Sequence, residues 1–238
     1  MLNLKACNSS PQKLVCINAI LATMTNLQNL KVIIYDCDGV LIDSSLANQA
    51  FYNHILEHFR RAPLTPEQWD YVKPLAAPDA LAWLLHGSPS LTKVQEYQKT
   101  VDNTPFLPLI RVEPNLPETL TRLHPHYRLA IATNRGKSLT PVLEHCGLAE
   151  FFDFTVSSLD VHHPKPHPEC LQRILEHFDV LPGQACYIGD SDLDREVSAR
   201  AGIIFGAYRN PSLKAAFHLH NHADLWHMLK REFAGGGA

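Results

Sequence analysis

Residues 31–44 read Lys-Val-Ile-Ile-Tyr-Asp-Cys-Asp-Gly-Val-Leu-Ile-Asp-Ser. The first five, Lys31 to Tyr35, form a short apolar run rich in β-branched side chains, the pattern of a strand buried in a parallel sheet. The run ends at Asp36-Cys37-Asp38-Gly39, where the glycine lets the backbone turn tightly. Asp36 and Asp38 stand two apart, so in an extended chain they project to one side. Carboxylates that close repel unless a cation or a shared proton intervenes. One can be ionised while the other carries a proton, a division that suits a nucleophile and a general acid. Taken alone, the tetrapeptide reads equally well as an Asp-Gly turn.

Outward from this stretch, residues 45–60 show helical spacing, and 62–110 are rich in proline, tryptophan and leucine with short helical patterns at Asp79 to His86 and Leu91 to Val101. No strand pattern is evident there, and 45–110 is read as a helical insertion. Strand signals resume at 128–132, followed by Thr133-Asn134-Arg135-Gly136. A helix from about Ser138 to His145 stops at Gly147, a good C-terminal cap. Residues 153–157 predict a third strand, 164–168 a proline-stiffened loop around Lys165, and Glu169 to Phe178 a helix. A fourth strand, Ala185 to Ile188, ends at Gly189-Asp190. A helix to Ala201 and a fifth strand at Ile203 to Gly206 follow. Strands alternating with helices predict an α/β fold, a Rossmann-like doubly wound parallel sheet. The expected organisation is an N-terminal extension over 1–28, a core over 29–44 and 111–233, a helical cap over 45–110, and a tail over 234–238.

In such a sheet, ligands bind outside the carboxyl ends of the strands. The polar clusters fall there: Asp36 and Asp38 after the first strand, Thr133 and Asn134 after the second, Lys165 after the third, Asp190 and Asp194 after the fourth. Asp190-Ser191-Asp192-Leu193-Asp194 reads by itself as a helix N-terminus, where Ser and Asp cap free amides. Opposite Asp36 it supplies oxygen ligands for a hard cation such as magnesium. Thr133 and Lys165 together suit the oxygens of a transferring phosphoryl group.

Composition narrows the alternatives. The 238 residues, 45% of them hydrophobic, suffice for one sizeable core and a smaller second domain. The net charge of −3 leaves no basic excess for a nucleic-acid backbone. No apolar run reaches the roughly 18–20 residues of a spanning helix, so no membrane partner is expected. Leu14 to Met24 loosely resembles a signal peptide but lacks a clear cleavage site. Six cysteines without a C-x-x-C pair point to a reduced, cytoplasmic interior. His162, His163 and His167 flank Lys165, a poor neighbour for a zinc ion. Arg60, Arg61, Lys73, Lys93 and Arg111 read mainly as solvated charges.

The order Asp-x-Asp-Gly, Thr, Lys, Gly-Asp-Ser-x-x-Asp resembles the haloacid dehalogenase superfamily. The stretches VIIYDCDGVLIDS, LAIATNRGKSL, HPKPHPECL and YIGDSDLDREVSARAG match its four motifs in order, over residues 31 to about 207. The helical insertion directly after the first motif resembles the phosphoglycolate phosphatase-like branch. The resemblance implies a magnesium-dependent phosphatase of a small phosphorylated metabolite, monomeric or homodimeric, working through a phosphoaspartate. It makes Asp36 the nucleophile, Asp38 the general acid and then base, and Thr133, Asn134 and Lys165 the phosphoryl and substrate contacts. Asp36, the main-chain carbonyl of Asp38, and Asp190 become the metal ligands, with Asp194 in support. True dehalogenases lack the second aspartate, which is present here. The related β-phosphoglucomutases usually carry Glu-Asp where this chain has Gly189-Asp190, and a phosphosugar mutase is the alternative reading. A signalling receiver domain fits poorly, since such domains are about half this length and lack a second acidic cluster. An inactive binding homologue conflicts with every catalytic position being filled.

Overall fold

The structure is a computed structural model that describes residues 27–73, 75, 77–86 and 90–230. Leu14 to Met24, nearly all of the expected extension, and the expected tail lie outside the described residues.

The chain forms two compact units. Among the described residues, one comprises the chain up to Leu41, Glu113–Lys137, and the chain from Leu148 to Lys230. Its centre is β1 (Val32–Tyr35), every residue of which is buried. β4 (Arg128–Ala132) and β5 (Phe154–Val156) extend the sheet on one side of β1. On the other side run β6 (Ala185–Gly189), β7 (Ile204–Tyr208) and β8 (Phe217–Leu219). The order β5-β4-β1-β6-β7-β8 is parallel throughout. Val32 pairs with Arg128 on one side and with Ala185 on the other. The chain winds outward from β1 in both directions, so the strand order reverses at β1, and the carboxyl ends there form the crevice where such folds bind ligands.

Burial explains the strand sequences. Val32, Ile34, Ala130, Ala132, Ala185 and Tyr187 face one core cluster with Leu171 and Ile174 of α7 (Glu169–Phe178) and Val197 of α8 (Asp192–Ala201). α7 packs on β4 and β5, α8 on β6 and β7. A second pair, α5 (Leu116–Leu123) and α9 (His222–Leu229), packs together, burying Leu116, Leu120 and Leu123 at helical spacing.

The other unit comprises Ile42–Val112 and Ser138–Gly147. It holds α1 (Ser45–His58), α2 (Pro66–Val72), α3 (Ala77–Leu84) and α4 (Leu91–Thr100), the short antiparallel pair β2 (Ile42–Asp43) and β3 (Arg111–Val112), and α6 (Leu139–His145). Tyr52, Ile55, Leu56, Val72, Leu81 and Val94 form its apolar cluster. α2 starts where its sequence says it should. Pro66 occupies the first turn, and Thr65 and Gln68 satisfy each other's backbone amides.

Candidate active site

Asp36 directly follows β1, and its amide continues the ladder to Ile188 O at 2.9 Å. The next turn depends on Gly39, which has a positive φ of 80°. A Cβ there would also lie 2.2 Å from Asp190 Oδ2. Only glycine satisfies both the left-handed backbone and the approach of the second acidic segment.

At the end of β4, Thr133 is buried and its Oγ1 accepts the Arg135 amide at 3.1 Å. Asn134 clamps the peptide around Lys165. Its Nδ2 donates to Lys165 O at 3.1 Å and its Oδ1 accepts the Lys165 amide at 2.9 Å. With both ends of its carboxamide so engaged, Asn134 positions the Lys165 loop in this structure.

The Lys165 ammonium is buried and its three donors have three partners. It donates to Asp36 Oδ1 at 2.8 Å, to Asp194 Oδ1 at 2.7 Å and to the Tyr187 hydroxyl at 2.8 Å. Burial alone would favour the neutral amine. The Asp36 and Asp194 carboxylates outweigh it and hold the lysine well above its ordinary range.

Asp190 directly follows β6, and Ser191 caps α8. The Asp194 Oδ2 accepts the amides of Asp190 at 3.3 Å and Ser191 at 3.2 Å, and the Ser191 hydroxyl at 2.5 Å. Burial works against its charge, but Lys165, Ser191 and Tyr187 keep Asp194 below the usual carboxylate range. Asp36 and Asp190 go the other way. Burial raises Asp36 to about 7 against the pull of Lys165. Burial, reinforced by Asp194, raises Asp190 to about 6.

Oxygens of Asp36, Asp190 and Asp194 lie within 4.8 Å of one another, the single group of this kind among the described residues. A hard, all-oxygen donor set in which burial and neighbouring carboxylates drive Asp36 and Asp190 toward protonation fits a divalent cation such as magnesium. Asp194 already uses both oxygens within the protein, which leaves Asp36 and Asp190 as the more available pair.

Asp38 stands apart from this cluster and is more open, its side chain 37% exposed. Arg135 grips it as a fork: Nε donates to Asp38 Oδ2 at 3.0 Å and Nη2 donates to Oδ1.

The structure thus brings Asp36, Lys165, Asp190 and Asp194 together, with Thr133 and Asn134 on the adjoining strand end. Two participants escaped the sequence reading. Tyr187 looks like one more apolar strand residue, yet its hydroxyl lies within 3.0 Å of Lys165 Nζ, Asp194 Oδ1 and Ala132 O. Arg135 looks like a solvated turn residue, yet its side chain is 12% exposed. The acidic neighbourhood of both is visible only once the strands align. The amides of His162 and His163 donate to the Glu169 carboxylate at 2.8 and 3.0 Å. Arg60, Arg61, Lys73, Lys93 and Arg111 are exposed.

Residues 33–208 match the model of the haloacid dehalogenase-like hydrolase family. A phosphoglycolate phosphatase of Salmonella typhimurium is 25% identical over 205 residues, 75% of this chain and 81% of that protein. The pyrophosphatase PpaX of Bacillus mycoides is 28% identical over 181 residues, 73% of this chain and 80% of that one. Among solved structures, a haloacid dehalogenase-superfamily hydrolase of subfamily IA from Geobacter sulfurreducens superposes with a TM-score of 0.75 at 34% identity. The match covers 84% of this chain and 97% of that one.

Proposed function

Because the chain belongs to the haloacid dehalogenase-like hydrolase family, we propose that this phosphatase hydrolyses a small-molecule phosphate monoester through an aspartyl-phosphate on Asp36, with magnesium as its cofactor. The observation that carries the reading is the buried ammonium of Lys165, which bridges Asp36 and Asp194 beside a third carboxylate, Asp190.

Lys165 fixes the Asp36 carboxylate by one oxygen, leaving the other to attack phosphorus. As the Asp36 oxygen–phosphorus bond forms, the bond from phosphorus to the ester oxygen breaks, and Asp38 supplies the proton the departing alkoxide needs. Asp38, now ionised, takes a proton from the water that attacks the phosphoaspartate, and inorganic phosphate leaves. Thr133 binds the phosphoryl oxygens as charge develops on them, and Lys165, its three donors already placed, balances that charge at close range. Asp36, Asp190 and the Asp38 main-chain carbonyl would hold the metal, whose charge offsets that of the phosphoryl group. The 45–110 segment acts as a cap that contributes to substrate choice. Among the described residues no helix is long and apolar enough to cross a membrane.

Gly189 favours hydrolysis over the mutase alternative. A Cβ at this position would lie 2.3 Å from Asp194 Cβ, so the larger residue of the mutase pattern has no room in this arrangement.

The test is phosphate release from a panel of phosphate monoesters with magnesium and with excess EDTA. Magnesium-dependent release is expected. Full turnover in EDTA would overturn the metal assignment, and phosphate transferred to a hexose phosphate rather than released would favour the mutase.

A further inference from the structure

Arg135 is held at both ends of its backbone. Its amide donates to Thr133 Oγ1 at 3.1 Å and its carbonyl accepts the Ser158 amide at 3.3 Å. Its guanidinium, largely removed from water, closes a two-pronged pair on the Asp38 carboxylate. Such a fork matches the planar geometry of a carboxylate or phosphate, which an ammonium does not.

The reaction needs an Asp38 oxygen at the leaving-group oxygen. In this structure both Asp38 oxygens accept from Arg135, and placing on one of them the proton that the leaving group needs removes that oxygen's charge and releases its prong. The released N–H groups then stand beside the leaving group in a largely desolvated place, where a charged donor without its acceptor is costly. A neutral leaving group offers a lone hydroxyl at best. A carboxylate or phosphate close to the ester oxygen offers the same two-oxygen acceptor that Asp38 gave up.

We infer that Arg135 is a specificity-determining residue: it exchanges its Asp38 partner for a second anionic group on the substrate's leaving group, and so selects doubly anionic phosphate esters. This rests on the reading of Asp36 and Asp38 as nucleophile and acid. It locates the recognition of charge in the loop after β4, on the sheet-bearing unit.

The experiment uses two probes of nearly equal size that differ in this charge, phosphoglycolate and hydroxyethyl phosphate. The measured quantity is the ratio of their kcat/KM values, with magnesium, in the wild type, Arg135→Met and Arg135→Lys. The wild type should prefer phosphoglycolate. Arg135→Met should lower the ratio by about a hundredfold, as expected when one partner of a desolvated charge pair is removed. Arg135→Lys, which keeps the charge but not the fork, should lower it by about tenfold. A merely structural grip on Asp38 would depress both substrates by the same factor and leave the ratio unmoved, which overturns the inference. So does a wild-type ratio near one. If Arg135→Met does not fold, Arg135→Lys and the wild-type ratio decide. Asp36→Asn separates the two levels. Turnover surviving in that variant sinks the nucleophile assignment itself, whereas a dead Asp36→Asn with an unmoved ratio sinks the Arg135 role alone.

Discussion

The two units bury different things. Every buried polar or charged side chain among the described residues lies in the sheet-bearing unit except Ser44. The helical unit is held by Tyr52, Ile55, Leu81 and their neighbours, with Phe51, Trp69, Tyr97 and Phe106 packed around them. Burying charge is costly unless it is paired, and it persists where paired groups perform chemistry. Burying apolar area asks only for volume and shape. On the proposed mechanism the contrast puts the reacting side chains in the sheet-bearing unit, while the helical unit is constrained chiefly by packing.

The sharpest way to break this contrast is Asp36→Asn. A neutral amide is a poor nucleophile and a weaker metal ligand, so turnover should fall by at least about a hundredfold, within the roughly 10²–10⁴-fold typical of a lost catalytic group. Circular dichroism should show the fold intact. Substantial residual turnover would mean that water attacks directly.

Asp38→Ala should slow alkyl phosphates by about a hundredfold or more, because their alkoxides leave poorly without a proton. Nitrophenol leaves readily as an anion, so transfer from nitrophenyl phosphate should suffer much less. The second step should still be slow, and rapid mixing should reveal a burst of nitrophenol. Equal losses without a burst would make Asp38 purely structural.

Tyr187→Phe removes one hydroxyl from the Lys165 network and nothing else. Hydrogen bonds to charged groups contribute about 1.5–3 kcal/mol, so kcat should fall by about tenfold with KM little changed. A lower melting temperature with unchanged kcat would limit Tyr187 to stability.

Leu81→Ala is the matching change in the helical unit. It opens a cavity in the apolar cluster and should cost about 2–5 kcal/mol of stability. Its effect on nitrophenyl phosphate turnover, measured well below the melting temperature, should stay within about threefold. A loss as large as that of Asp38→Ala would erase the distinction between the units.

The smallest effect concerns pH. Unfolded aspartates ionise near about 4, whereas Asp36 and Asp190 sit at about 7 and about 6 in the folded chain. Between those values the folded metal-free state binds more protons than the unfolded one, so these groups favour folding at low pH and the benefit fades as pH rises through 6–7. His222, held at about 4 by burial, has the opposite sign between about 4 and 6.5. It lies outside the acidic cluster and cancels in a comparison with and without metal. Magnesium competes with the two carboxyl protons, so its stabilisation should be larger at pH 8 than at pH 5.5. At roughly a hundred times Kd the shift at the higher pH should be about 5–10 °C by thermal melting. A shift independent of pH would remove Asp36 and Asp190 from the metal site.

Legibility followed the same division. β1, β4 and β6 announced themselves as apolar runs ending in aspartate or threonine, because strands buried on both faces tolerate little else. Asp36, Thr133 and Asp190 stand out in the sequence by their place directly after a strand, and Lys165 by the prolines on either side of it. β8 was missed because three residues, Phe217 to Leu219, are too short to show a period. The pair β2 and β3 was missed because each strand has two residues. α5 carried a usable signal in Leu116, Leu120 and Leu123 that went unread. Tyr187 and Arg135 gave none, since what distinguishes them is the neighbour that folding brings, not their own type.

The Lys165–Asp36 bond closes a separation of 129 residues along the chain, and the Arg135–Asp38 pair closes 97. During synthesis Asp36 therefore emerges long before Lys165, Asp190 or Asp194 exists to receive it. β1 waits too, since both its sheet neighbours, β4 and β6, come later. Non-local parallel pairing of this kind is slow and leaves apolar strands exposed in the interim. A nascent chain stopped before Lys165 carries Asp36 without the ammonium and without either later carboxylate, so on the proposed mechanism activity arises only late in synthesis.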